Sequence, residues 1–226
     1  MRNIKFAIKE FYHIYNRGVD KRNIFMNSDD VNRFLFCMLV FNTEDPVGSI
    51  YLNFLEKKRK QKLRSSAPHK SKKLVNFVAY CLNQNHYHFI LEPLIENGVQ
   101  KFMHRLATGY TNYFNEKYER SGSLFQGRYK AKHIDSNEYL LHLSAYVNLN
   151  FKVHKDLNKE WMKKLPISSL QEYVGKTTKL FCVKEIVLKQ FKSTIEYKSF
   201  CSETLFEILR RKENEEEKEL KSILFE

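Results

Sequence analysis

The sequence predicts an α+β protein: a ferredoxin-like antiparallel sheet with helices on one side, plus a C-terminal helical extension. Two observations carry this. The periodicity of apolar residues gives the order strand, helix, strand, strand, helix, strand over the first two thirds of the chain. Beyond about residue 155 it gives only amphipathic helical stretches, around Val183 to Phe191 and Cys201 to Arg211. The expected division is therefore 1–155 for the core and 156–226 for the extension.

Each element follows from local signals. Phe11-Tyr12-His13-Ile14-Tyr15 reads as a strand that ends in the turn signal Asn16-Arg17-Gly18. Ser28-Asp29-Asp30 offers an N-cap to a helix carrying Val31, Phe34, Leu35, Met38 and Leu39 at helical spacing. Two strands, about Leu74 to Leu82 and His86 to Glu92, flank Asn83-Gln84-Asn85, which suits a tight hairpin. A helix from about Gly98 to Tyr118 repeats Val99, Phe102, Met103, Leu106, Tyr110, Tyr113 and Phe114 at steps of three and four. A short strand runs through Tyr129 to Ile134, and Asp135-Ser136-Asn137-Glu138 has the form of a capping box opening a helix to about Asn150. The last segment, Arg210 to Lys218, is highly charged and reads as an exposed helix.

Composition narrows the partners. The chain has 226 residues, enough for a real core, a formal net charge of +13 and a pI near 9.5. Such a balance favours a polyanion; nucleic acid is the commonest, and a membrane surface fits on charge alone. No apolar run approaches the roughly 18 residues of a spanning helix, and Met1 to Phe6 lacks a signal-peptide core. The expectation is a soluble, cytoplasmic protein with no membrane partner. Cys37, Cys81, Cys182 and Cys201 are scattered, so neither a zinc ribbon nor a disulfide framework is supported. Nine basic residues and no acidic one lie between Lys57 and Lys73, broken by Ser65, Ser66 and Pro68. This run reads either as a solvated, self-repelling surface or as an arm that tracks phosphates.

The most informative feature is His86-Tyr87-His88. Alternate strand residues share a face, so both imidazoles project together as a pair of metal ligands or as a satisfied structural pair. In the helix after the capping box, His142, Tyr146 and Asn150 recur at steps of four beside an apolar stripe of Leu140, Leu143 and Val147. Taken singly, Tyr146 reads as a core or boundary aromatic and Asn150 as a residue near a helix end.

Together, four segments resemble a known family. Tyr12-His13-Ile14-Tyr15-Asn16-Arg17-Gly18, Asn85-His86-Tyr87-His88-Phe89-Ile90-Leu91, Leu124-Phe125-Gln126-Gly127-Arg128-Tyr129-Lys130 and Tyr146-Val147-Asn148-Leu149-Asn150 look like the single-tyrosine HUH transposases. The branch they most resemble is the REP-associated tyrosine transposase group, over roughly residues 8 to 155. The resemblance implies the same ferredoxin-like fold and gives the residues roles. His86 and His88 stand at the HUH histidines, Tyr146 at the nucleophile, and Asn150 at the polar residue that completes the metal site. Two departures stand out: Asn83-Gln84 replaces a frequent Met-Pro, and Phe151 replaces a frequent proline, which bears on where the catalytic helix stops.

The implied chemistry suits these residue types. A phenol with a pKa near 10 is a poor nucleophile until a base or cation favours the phenolate. A divalent metal, Mg²⁺ or Mn²⁺, held by His86, His88 and Asn150 would polarise a scissile phosphate. Attack by Tyr146 would leave a 5′-phosphotyrosine and a free 3′-hydroxyl, so strands can be nicked and rejoined without ATP. The expected partner is single-stranded DNA, with a hairpin implied by the resemblance; monomer and homodimer both remain open. For DNA binding the candidates are Arg17, Lys21 and Arg22 after the first strand, then Arg128, Lys130 and Lys132, alternating along one face, with Tyr129 available to stack on bases. His142 is a candidate for proton transfer or an ordinary solvent-facing histidine. Two competing readings are a non-catalytic module that holds hairpin DNA or RNA and a metal-dependent hydrolase that uses water.

Overall fold

The computed structural model describes residues 4–48, 72–153, 160–163, 165–175 and 181–224. The basic run lies outside the described residues except for Lys72 and Lys73, which are exposed. In chain order the main elements are β1 (Phe11–Arg17), α1 (Ser28–Val40), β2 (Val75–Asn83), β3 (His86–Pro93), α2 (Gly98–Lys117), β4 (Lys130–Ile134) and α3 (Asn137–Val153). Three one-turn helices follow, α4 (Glu160–Lys163), α5 (Leu170–Tyr173) and α6 (Glu185–Leu188), and then the long α7 (Thr194–Leu224).

The four strands pair antiparallel in the order β2-β3-β1-β4. This is the ferredoxin-like arrangement that the element order predicted. Alternation sorts the side chains. Tyr12, Ile14, Phe77, Tyr87, Phe89 and Leu91 face one core with Val31, Phe34 and Met38 of α1 and Phe102, Leu106 and Tyr110 of α2. Both crossover helices therefore lie on one side. The opposite face is covered as well: Val78, Ala79, Cys81 and Ile90 pack under Leu140, Leu143 and Val147 of α3. Tyr173, Val187, Tyr197 and Cys201, all from beyond residue 155, complete that second core.

Helix starts differ in detail from the sequence reading. The N-cap of α1 is Asn27, whose side chain accepts from the N–H groups of Asp29 and Asp30, while the Asp30 carboxylate accepts from the N–H of Asn27. For α3 the cap is Ser136, whose hydroxyl accepts from the N–H of Tyr139, so the box expected from Asp135 to Glu138 does not form. Asp135 and Ser136 are both good caps; one residue of phase decides between them, and burial of Leu140 and Leu143 sets that phase.

The extension also closes the outer edge of β2. The N–H of Leu82 donates to the carbonyl of Ile167, that of Ser169 to Tyr80 and that of Val183 to Phe77. Asn148 of α3 joins this seam, accepting from the Ser169 hydroxyl at 2.6 Å and donating to the Tyr197 hydroxyl at 2.8 Å. The catalytic-helix candidate is thus fixed to strand edge and extension together. Among the described residues no helix is long and apolar enough to cross a membrane.

Candidate active site

The hairpin places the histidines. Asn83 and His86 are its closing pair, and Gln84-Asn85 form the turn. The turn is tied down: the Gln84 carbonyl accepts from Ile24 and Phe25, and the Asn85 carbonyl from Gly18. Gly18 is required there, because a Cβ would stand 2.2 Å from the Arg22 carbonyl oxygen. Cross-strand pairing then sets the face. Arg17 lies opposite His86, Tyr15 opposite His88 and Lys130, and His13 opposite Lys132. The histidines, a tyrosine and three cations share the face that α3 partly covers.

Within it, His86 and His88 stand with ring centroids 5.1 Å apart, and the Tyr146 ring meets His88 edge-on at 5.6 Å. One turn along α3, the fully buried Asn150 brings its Oδ1 to 3.3 Å from His86 Nε2. All four residues given catalytic or metal roles from the sequence therefore converge. Among the described residues no three His, Cys, Asp or Glu side chains gather as a metal cluster; a cation held here would take amide oxygen as well as imidazole.

Hydrogen bonds assign the ring nitrogens. Asn85 Nδ2 donates to the Lys21 carbonyl at 3.2 Å, which turns its Oδ1 toward His86 Nδ1 at 2.6 Å. His86 thus carries its proton on Nδ1 and aims the Nε2 lone pair at Asn150. His88 Nδ1 is engaged by His13 Nε2 at 2.9 Å, which gives the ligand role to His88 Nε2. The His13 pKa is lowered to about 4 by burial and then by nearby Lys132, so it is a neutral partner at pH 7. Burial raises the Tyr146 phenol, and the neighbouring Asn150 amide pulls it partly back. Among the described residues the buried Asn150 Nδ2 makes no hydrogen bond of ordinary geometry, although the Asn150 amide is near enough to the Tyr146 hydroxyl to favour its ionised form. The donor set, two imidazoles and an amide oxygen on one point, fits a divalent metal.

Two contributors were missed in the sequence. His13 was visible within a matched segment but read only as strand, and Asn83 was read only as turn. Each meets its partner through strand pairing. His142 is exposed and rests on the Phe200 ring of α7 at 5.0 Å.

The basic candidates divide. Arg17 is exposed, and its Nε donates to Gln126 Oε1, while Gln126 N–H donates to the Arg17 carbonyl. Lys21 and Arg22 are exposed in the loop after β1, where Asp20 and Lys21 both have left-handed backbone. Lys130 and Lys132 project from β4, but Arg128 stands in the bend before it, so strand alternation does not align all three. Tyr129 is half-buried against the core of α1 and α2, not on the basic face. The aromatic found on that face is Tyr15, stacked with His13 at 4.9 Å and with Lys130 Nζ 6.0 Å from its ring centre.

Comparison with known proteins gives one family match and one similar solved structure. The family described as "Transposase IS200 like" matches residues 52–150, a stretch that contains His86, His88, Tyr146 and Asn150. A solved structure described as a REP-associated tyrosine transposase bound to a REP hairpin is similar to this chain at 11% identity and a TM-score of 0.47, covering 80% of this chain and 88% of that one. No curated protein sequence gives a significant match.

Proposed function

From the match of residues 52–150 to the IS200-like transposases and the geometry of the site, we propose that this protein is a metal-dependent DNA-strand transferase. It nicks and rejoins single-stranded DNA, at hairpins, through a 5′-phosphotyrosine on Tyr146. The observation that carries this reading is the meeting of Tyr146 with His88 and of Asn150 with His86, residues separated by 58 to 64 positions, on one sheet face. When bound by His86, His88 and Asn150, Mg²⁺ or Mn²⁺ supplies charge neutralisation at the scissile phosphate.

The chain's own residues do the rest. Helix α3 holds the Tyr146 hydroxyl beside the histidine strand, reducing the entropy cost of bringing nucleophile and phosphate together. Burial raises the Tyr146 phenol further above neutral pH, so forming the nucleophile needs a base or a neighbouring positive charge. Attack forms the bond from Tyr146 oxygen to phosphorus and breaks the bond to the 3′ oxygen; the proton given up by the phenol, passed directly or through water, is the one with which the 3′ oxygen leaves as a hydroxyl. Arg17, steadied by Gln126 and opposite His86 in register, is placed to hold a flanking phosphate. Lys130 and Lys132 extend a basic path along β4, and Tyr15 offers a ring for an unpaired base. Lys21, Arg22 and Arg128 widen the path at the loops. The core is 1–155; from the extension, 156–226, the described residues Tyr173, Val187, Tyr197 and Cys201 pack beneath α3 and brace it.

The test is denaturing electrophoresis of the full chain with labelled single-stranded hairpin DNA and Mn²⁺. A covalent adduct, absent from Tyr146→Phe and from samples with chelator, is expected. Cleaved DNA without adduct would instead indicate water as the nucleophile, and bound but intact DNA a non-catalytic module.

A further inference from the structure

Asn83 contacts two of the three proposed metal ligands. Its Nδ2 stands 2.9 Å from His86 Nε2 and 2.6 Å from Asn150 Oδ1. The tautomer set by Asn85 makes His86 Nε2 an acceptor, and Asn150 Oδ1 is an acceptor by nature. Two acceptors aimed at one point, 3.3 Å apart, repel unless something positive lies between them. In this structure the partial positive charge is the Asn83 amide N–H₂. That group does what a cation would do at the same place, with hydrogen bonds in place of coordination.

We propose that Asn83 is a fourth, cation-responsive ligand of this site, an inference that rests on the metal reading above. Its N–H₂ holds His86 and Asn150 in position before metal binds, and a turn of the amide then presents its Oδ1 to the metal. Several features permit that turn. Asn83 closes the hairpin opposite His86, so its backbone is fixed and the change is confined to the side-chain torsion. On the other side of the amide is the Cys81 thiol, with Sγ 3.9 Å from Asn83 Oδ1. A thiol is a weak donor and a weak acceptor, so it serves either orientation of the amide. Asn83 is 3% exposed, so the carbonyl it would offer is already desolvated and not competed for by bulk water.

The proposal differs from a simpler one in which Asn83 only fills the site, and the two differ in sign. The experiment is titration of the full chain with Mn²⁺ in the absence of DNA, read by calorimetry and by the electron paramagnetic resonance signal of free Mn²⁺. Asn83→Leu, which keeps the volume and removes both polar atoms, should weaken Mn²⁺ binding about tenfold. Asn83→Asp, whose two oxygens need no turn, should tighten it by about as much. Asn83→Leu binding as tightly as the parent, or more tightly, would overturn the ligand role and leave the rest of the metal site standing. So would weaker binding by Asn83→Asp, a variant that needs no apolar repacking. His86→Ala should abolish binding. A parent that takes up no Mn²⁺, or a His86→Ala variant that still does, would overturn the metal site itself and Asn83's part with it.

Discussion

Two buried polar clusters in this protein involve similar side chains and come out differently. Asp30, at the third position of α1, is fully buried, and its carboxylate collects five donors. Oδ2 accepts from the N–H groups of Met26 and Asn27 and from the Tyr118 hydroxyl; Oδ1 accepts from the Tyr113 hydroxyl at 2.9 Å and from Lys117 Nζ at 2.7 Å. Every lone pair has a partner, and the result clamps α1 to the C-terminal end of α2. Across the sheet, Asn150 is equally buried, but among the described residues its Nδ2 makes no hydrogen bond of ordinary geometry and its Oδ1 shares one donor with His86. The first cluster is complete as it stands. The second leaves one buried donor unpaired, and that is the difference expected between a cluster that only stabilises and one with a proposed role in binding.

Removal of one residue from each should therefore have opposite consequences, and the largest effect belongs to the satisfied cluster. Asp30→Ala is expected to cost about 2–3 kcal/mol of folding free energy, because it takes the buried acceptor away from the N-cap N–H groups of α1, two half-buried hydroxyls and Lys117 together. Urea unfolding followed by circular dichroism measures it; a loss below about 1 kcal/mol would erase the distinction. Next, His13→Phe preserves packing beside Tyr15 yet removes the partner of His88 Nδ1. Adduct formation at limiting Mn²⁺ should fall about 10- to 100-fold, with partial recovery at high Mn²⁺. If rate and metal dependence both match the parent, His13 does not position His88.

Asn150→Leu tests the unsatisfied side directly. It should change stability by less than about 1 kcal/mol, since it deletes an unpaired buried donor along with a shared acceptor, while the DNA adduct disappears. A destabilisation as large as that of Asp30→Ala would place Asn150 among the structural residues. The smallest effect is electrostatic: Lys130→Ala combined with Lys132→Ala should reduce the slope of log binding constant against log salt by about 1.4 for single-stranded DNA. An unchanged slope would mean that β4 does not meet phosphate.

The contrast also shows what can be read from sequence. His86 with His88, and Tyr146 with Asn150, each follow a local period of two or four residues, so both pairs were legible from spacing. The ferredoxin-like order was legible for the same reason, since hydrophobic period identifies each element. His13 and Asn83 act across strand pairings, one of them joining positions 75 residues apart, and register is written in the packing of whole faces. Tyr129 shows the opposite case. Its neighbours Arg128 and Lys130 suggest a DNA contact, and the bend before β4 packs its half-buried ring against the core of α1 and α2, away from the basic face. The second covered face was legible only as an extension, because amphipathic periodicity shows that a helix has an apolar side without showing what lies against it.

Because Ile167, Ser169 and Val183 hydrogen-bond along the outer edge of β2, a chain shortened to 1–155 would leave that edge with its N–H and carbonyl groups unpaired beside an uncovered apolar face. Such an edge recruits other strands. The sequence beyond 155 thus acts as a guard against self-association, and a shortened protein would be lost to aggregates before its chemistry could be measured.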